Sequence, residues 1–246
     1  MIAQLTTMFN LHNGALLITA AITFAFGFWE YIYSFRLTFR ENKSPFPIWM
    51  HTFYFAHDSS WAIILFLMAP RYHWHWFLVG TSVALVVWTL FEVVNIYHAI
   101  MYERQEIWTS HSNRNLTIGQ AYGYVFEQII CFYAVVNLIR LFMGSGSFFQ
   151  WTVLTNMVMA VGPGLLWRQR GSRDGASVGL AIVIVLGTVN TFLPISMFVT
   201  TLPGVFDHLW YYLAGVVVSA IAIKNLWMIL QFPAKSQKQG AKRPIW

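Results

Sequence analysis

One cysteine, few charges and no extended polar stretch limit what this chain can be. Among 246 residues Cys131 is the single cysteine, so neither a disulfide framework nor a cysteine metal cluster is open to it. Charged residues make up 10% of the chain against 57% hydrophobic ones, too little polarity to coat a soluble globule of this size. The histidines show no metal-ligand spacing: His51, His73, His75, His111 and His208 read as interfacial or loop positions, and neither a metal nor an organic cofactor is implied. There is no internal repeat, no low-complexity tract beyond a basic tail, and no basic segment at MIAQLTTMFNLHNG of the kind that opens a cleaved signal peptide.

What the chain has in abundance is apolar runs. Seven are long enough to cross the hydrocarbon core, which takes roughly 20 residues each: 14–37, 46–69, 76–101, 118–142, 149–167, 177–200 and 209–231. The expected fold is therefore all-α, a polytopic membrane protein in which residues 1–246 form one seven-helix transmembrane bundle and 232–246 a basic cytosolic tail. Short connections make successive helices antiparallel neighbours. Trp74, Trp76, Trp108, Trp151, Trp210 and Tyr211 near run ends are expected at the membrane interface. Gly162-Pro163-Gly164 and Pro194 are expected to allow close packing or kinks.

The net charge of +6 invites a nucleic-acid reading, but the basic residues sit in loops beside apolar runs, which suits an anionic leaflet and excludes nucleic acid as partner. With the N-terminus outside, 12 of the 15 basic residues fall inside: Arg36, Arg40, Lys43, Arg104, Arg114, Arg168, Arg170, Arg173, Lys235, Lys238, Lys242 and Arg243. Arg71 and Arg140 fall outside and Lys224 within the last run. This asymmetry predicts an N-out, C-in orientation.

Ionisable groups at membrane depth are few and expensive, at roughly 2.5 to 3.5 kcal/mol on insertion scales, and each raises a functional question. They are Glu30, Asp58, Glu92, Glu127 and Lys224, with His57 and His98 as titratable neighbours. Glu30, Glu92, Glu127 and Lys224 fall in the cytosolic half, with Asp58 slightly deeper, and the five could share one layer. Helical spacing puts Trp88, Glu92, Asn95 and His98 on one stripe, and Gln120, Tyr124 and Glu127 on another, as for faces turned into a bundle. Asp58 is flanked four residues away by Tyr54 and Ala62; His57 points about 100° away from it around the helix. These charges either pair off as structural glue or carry chemistry, and Asp58 is the candidate for the latter.

Three stretches resemble the fungal meroterpenoid integral-membrane terpene cyclases, seven-helix enzymes of the endoplasmic reticulum. They are NMVMAVGPGLLWRQRGSRDGAS at 156–177, DSSWAIILFLMAP at 58–70 with Trp61 and Pro70 at the family's interval, and YIYSFRLTFR at 31–40. The resemblance implies cyclisation of a prenylated epoxide. The family's acid pair is missing, however. A Glu directly after the second-helix Trp and an Asp eight residues before a seventh-helix Trp are replaced by Ala62 and Ser219, with Trp61 and Trp227 as landmarks. Asp58 lies one turn before Ala62 on the same face, so the acids are expected to have moved: Asp58 as general acid, Glu30 and Glu92 as partners or terminal base, Glu127 as a further candidate. A carboxylic acid in an apolar cavity stays protonated and suits the opening of an oxirane.

The expected activity is thus an enzyme of the endoplasmic reticulum membrane that opens an epoxide on a lipophilic terpenoid or polyketide-derived substrate and directs cyclisation, its active-site layer in the cytosolic half. An epoxide hydrolase or isomerase is the alternative within enzymes. A proton-coupled transporter or lipid-binding seven-helix protein is the alternative of another class, although no inverted repeat supports it. A retinal protein is disfavoured because no Asp accompanies Lys224 at suitable spacing.

Overall fold

The computed structural model describes residues 1–109, 115–235 and 245. His111, Arg114, Lys238, Lys242 and Arg243, on which part of the charge asymmetry rests, lie outside the described residues, as does most of the expected basic tail. Regular structure among the described residues is entirely helical.

A short helix α1 (Ile2–Met8) leads through Asn13, whose side chain accepts from the Leu16 amide and starts α2 (Gly14–Glu41). That helix stops at Asn42 in the left-handed conformation, φ 53°. Pro47 leads into α3 (Ile48–Met68), and Pro70 turns its end into a 3₁₀ turn. α4 (Trp76–His98) passes through a π-turn, Ala99–Glu103, into α5 (Arg104–Thr109). A capping box of Thr117 and Gln120 opens α6 (Ile118–Met143). α7 (Phe148–Arg170) carries Pro163 internally, and Ser177 caps α8 (Val178–Phe192). Short helices α9 (Met197–Thr201) and α10 (Pro203–Phe206) precede α11 (Leu209–Gln231).

The seven expected runs coincide with the seven long helices, with two differences. The sixth run is broken: α8 ends at Phe192, Leu193 is extended ahead of Pro194, and Ser196 caps a fresh start, because a residue before proline avoids the helical region. The third run goes on past its expected end through the π-turn. Five stretches are long and apolar enough to cross a membrane: Gly14–Glu41, Trp76–Trp108, Ile118–Met143, Val178–Thr201 and Leu209–Gln231. α3 and α7 have the length, 21 and 23 residues. Their polar residues, His51, His57 and Asp58 in one and Gln150, Asn156 and Arg168 in the other, keep them out of that set.

The chain forms two compact units, a split unit of residues 3–46 and 152–246 and a central unit of residues 47–151. In the split unit α8 packs on α2 and α11 through small residues. A Cβ on Gly179 would lie 2.3 Å from the Tyr33 hydroxyl, and one on Gly215 2.5 Å from Phe192, so these backbones approach more closely than any side chain allows. Gly164 leaves room for Asn225, whose amide donates to the Ala160 carbonyl at 3.0 Å. The loop after α7 binds helix ends together: Arg170 donates to Ser44 O, and Arg173 to the Ile229 and Leu230 carbonyls at the end of α11. Its turns need Gly171 and Gly175 at φ 61° and 67°. The Gly175 amide donates to Glu41, which also holds Lys235.

In the central unit α3 packs against both α4 and α6. Its rotation is set by hydrogen bonds on two sides. Ser82 donates to Ala62 O at 2.7 Å, Thr52 to Gln128 Oε1 at 3.1 Å, and Ser59 pairs with the Tyr133 hydroxyl at 2.6 Å.

Candidate functional site

Most of the buried ionisable side chains among the described residues gather in the central unit, on α3, α4 and the π-turn. Asp58, on α3, is buried, and its Oδ1 lies 2.7 Å from His57 Nδ1. Neighbours on a helix point about 100° apart, yet the imidazole swings back and the two side chains meet. The sequence had given His57 a minor place; the structure makes it half of a buried pair.

His57 Nε2 has no hydrogen-bond partner among the described residues, although the ring is only 2% exposed. An unpaired buried polar atom costs about 1–3 kcal/mol, and native proteins leave few of them. When Nδ1 carries the proton shared with a carboxylate, Nε2 presents its lone pair; when the pair holds one more proton, Nε2 presents N–H. An imidazole fixed in this way is equipped to give and take a proton at Nε2.

Glu92 on α4 turns inward as its stripe predicts. Its Oε2 lies 2.5 Å from His51 Nδ1 and 3.5 Å from the Asn95 amide, which donates to it. His51 is fully buried, so the expectation of an interfacial histidine is corrected: in the first turn of α3 it meets the carboxyl across the α3–α4 contact. Seven-residue spacing places His51 and Asp58 on the same face of α3, a signal that could have found it.

A third buried pair went unnoticed in the sequence. His98 Nδ1 and Glu103 Oε1 are 3.4 Å apart. Five residues apart on an α-helix they would diverge by about 140°; the π-turn between them, closed by i to i+5 hydrogen bonds, brings them together. Such turns recur at functional sites.

The remaining candidates stand elsewhere. Glu30 is buried on α2 in the split unit, its Oε1 3.5 Å from where a Gly187 Cβ would lie. Glu127 is exposed on α6, together with Gln120 and Tyr124. The stripe expected to face inward faces outward, because Ala121 and Val125, on a different face of α6, are the buried positions. Lys224 is likewise exposed, on α11.

Aromatic side chains close the α3 side of the site. Phe53, His57 and Trp61 follow one another at four-residue intervals. Trp151 at the start of α7 lies 5.5 Å from His57 and 6.4 Å from Phe53 between ring centroids, and Phe148 lies 5.5 Å from Trp61. Trp151 was expected as an interfacial anchor; at 2% exposure it is an interior residue. Trp74, Trp76 and Trp210 are exposed. Among the described residues no group of three metal-ligating side chains converges.

No family model, no curated protein and no solved structure matches the chain.

Proposed function

We propose that this protein is an integral-membrane enzyme that opens an epoxide on a lipophilic terpenoid or polyketide-derived substrate and directs its cyclisation. In this reading α3 and α7 also cross the bilayer, giving seven spans with the N-terminus outside, in the endoplasmic reticulum membrane as the cyclase resemblance implies. Polar residues within a span are tolerated where neighbouring helices enclose them, and those of α3 are buried.

The observation that carries the proposal is the His57–Asp58 pair with its open Nε2. A protonated pair donates the Nε2 proton to the oxirane oxygen as a carbon–oxygen bond breaks. A double bond of the substrate supplies electrons to the cationic carbon and closes a ring, and the last cation loses a proton to the same Nε2, restoring the pair. The negative faces of the Phe53, Trp61 and Trp151 rings favour a nearby cation, and the apolar walls keep water from quenching it. Glu92, held by His51 and Asn95, ties α4 to the first turn of α3 and so helps to fix the helix that carries the pair. Glu30 and Glu127, candidates from sequence, take no part in this scheme.

Membranes carrying the protein, fed with prenylated epoxides, should yield cyclised alcohols by mass spectrometry, and His57→Gln should not. Incorporation of solvent ¹⁸O would move the assignment to an epoxide hydrolase. The succession of His98–Glu103, His51–Glu92 and His57–Asp58 pairs favours one further reading, a proton-coupled carrier. It would show itself as substrate uptake driven by a pH gradient, without a change in the substrate.

A further inference from the structure

Two more ring nitrogens, on the same helix contact as His57 Nε2, are left over. Trp61 Nε1 and Trp151 Nε1 have no hydrogen-bond partner among the described residues, and the two indoles are 0% and 2% exposed. Trp61 follows His57 by one turn of α3, and Trp151 follows Phe148 by three residues on α7. The two faces meet at two levels, Trp151 on His57 and Phe148 on Trp61, each with 5.5 Å between centroids. The unpaired ring nitrogens of His57, Trp61 and Trp151 are therefore carried by residues of one two-level contact of α3 with the start of α7.

We propose that His57, Trp61 and Trp151 form one site that binds a single uncharged oxygen atom of a lipophilic ligand. An indole N–H only donates, so the bound atom must be an acceptor. Phe53 and Phe148 pack on these three residues, and among such rings a full charge would be poorly solvated, so the ligand is an oxirane, a ketone or an alcohol rather than a carboxylate or phosphate. His57 supplies the adaptable partner. With N–H at Nε2 it donates to an oxirane; with a lone pair there it accepts from the hydroxyl left after ring opening. The same three nitrogens fit the oxygen before and after proton transfer, while the indoles position it and leave the proton to His57.

Choosing an epoxide as ligand rests on the reading above, whereas binding an oxygen does not. The test uses the full chain in nanodiscs with its 12 tryptophans replaced by 5-fluorotryptophan, the Trp61 and Trp151 ¹⁹F signals being assigned with Trp61→Phe and Trp151→Phe. The probes are a fifteen-carbon prenyl chain with a terminal epoxide, an unreactive ketone of equal length, and the parent alkene. Epoxide and ketone should both move the two signals and the alkene should not. Each Phe variant should weaken ketone binding about fivefold to tenfold, the worth of one buried hydrogen bond, with alkene binding unchanged. Replacement by benzothienylalanine, which keeps the ring and lacks the N–H, should do the same and decides the matter if a Phe variant misfolds. An alkene that shifts the signals as the ketone does, a ketone that binds without shifting them, or no binding by any probe overturns the site. A ketone held by both indoles in a protein that leaves the epoxide unconverted keeps the site and ends the enzymatic reading. Conversion of the epoxide with both signals unmoved does the reverse.

Discussion

The two units bury different things. The central unit encloses three imidazole–carboxylate pairs and the unpaired ring nitrogens of His57, Trp61 and Trp151. The split unit encloses close helix contacts at Gly164, Gly179 and Gly215, and one buried carboxyl, Glu30. Surrounded by lipid, helices gain little from burying apolar side chains, so association rests on close packing and hydrogen bonds. The split unit uses both as architecture. The central unit uses hydrogen bonds to set the angle of α3 and leaves the ring nitrogens of His57, Trp61 and Trp151 unused, where the split unit leaves over only the hydroxyls of Ser34 and Thr38 among the described residues.

The sharpest way to break this contrast is to remove the carboxylate that holds the proton-handling imidazole. Asp58→Asn should lower turnover of a prenylated epoxide at least about 100-fold, the ordinary range for losing a general acid or base. Helical content and the thermal midpoint in detergent should stay near those of the parent, since Asn still offers an oxygen to His57 Nδ1. Full turnover in a well-expressed variant would make the pair structural and reduce the central unit to another joint.

Next comes removal of one partner from a pair. Glu92→Ala leaves His51 and the Asn95 amide without their acceptor and should destabilise the fold by about 3 kcal/mol, the low end for breaking a buried pair. Glu30→Gln removes a carboxyl that makes no hydrogen bond among the described residues and should cost less than about 1 kcal/mol, because an unpaired buried acid already burdens the folded state. Unfolding titrations with a denaturing detergent would compare them, and an equal loss for both would erase the difference drawn between the units.

Smaller again is a change of volume. Gly164→Val places side-chain atoms where Asn225 now lies, a Cβ alone coming 2.1 Å from its Oδ1, and displaces the bond to Ala160 O. Overpacking of this kind costs about 1–3 kcal/mol. Folded yield and thermal midpoint should fall, while turnover per folded molecule should not.

How much of this could be read from the chain depends on whether one helix or two are needed. The long helices were legible because each apolar run declares itself, and the acids at depth stood out for the same reason. Glu92, Asn95 and His98 were placed on an inward stripe from spacing within α4 alone, and all three are buried. The pairing of His51 with Glu92 crosses 41 residues and depends on how two helices are rotated, which spacing within either cannot supply. Glu103 escaped because the π-turn changes the helical period at that point. The end of the 156–177 stretch, Arg170-Gly171-Ser172 with Gly175-Ala176-Ser177, proves to be joint chemistry: positive-φ glycines, arginines on carbonyls and a serine cap. It speaks to how the helices are tied together, and the residues proposed for chemistry lie outside it.

The smallest expected effect tests the outer surface. Glu127 and Lys224 are exposed, and neither has an ion-pair or hydrogen-bond partner among the described residues. Both should be dispensable to the chemistry, so Glu127→Gln and Lys224→Met should change epoxide turnover by less than about twofold. Removing a charge from an exposed position of a helix that crosses the bilayer is favourable by up to about 3 kcal/mol on insertion scales, so, if α6 and α11 are spans, both variants should insert and express at least as well as the parent. A large loss of turnover in Glu127→Gln alone would mean that the outward face of α6 serves the reaction, and the line between site and surface would have to be redrawn to include it.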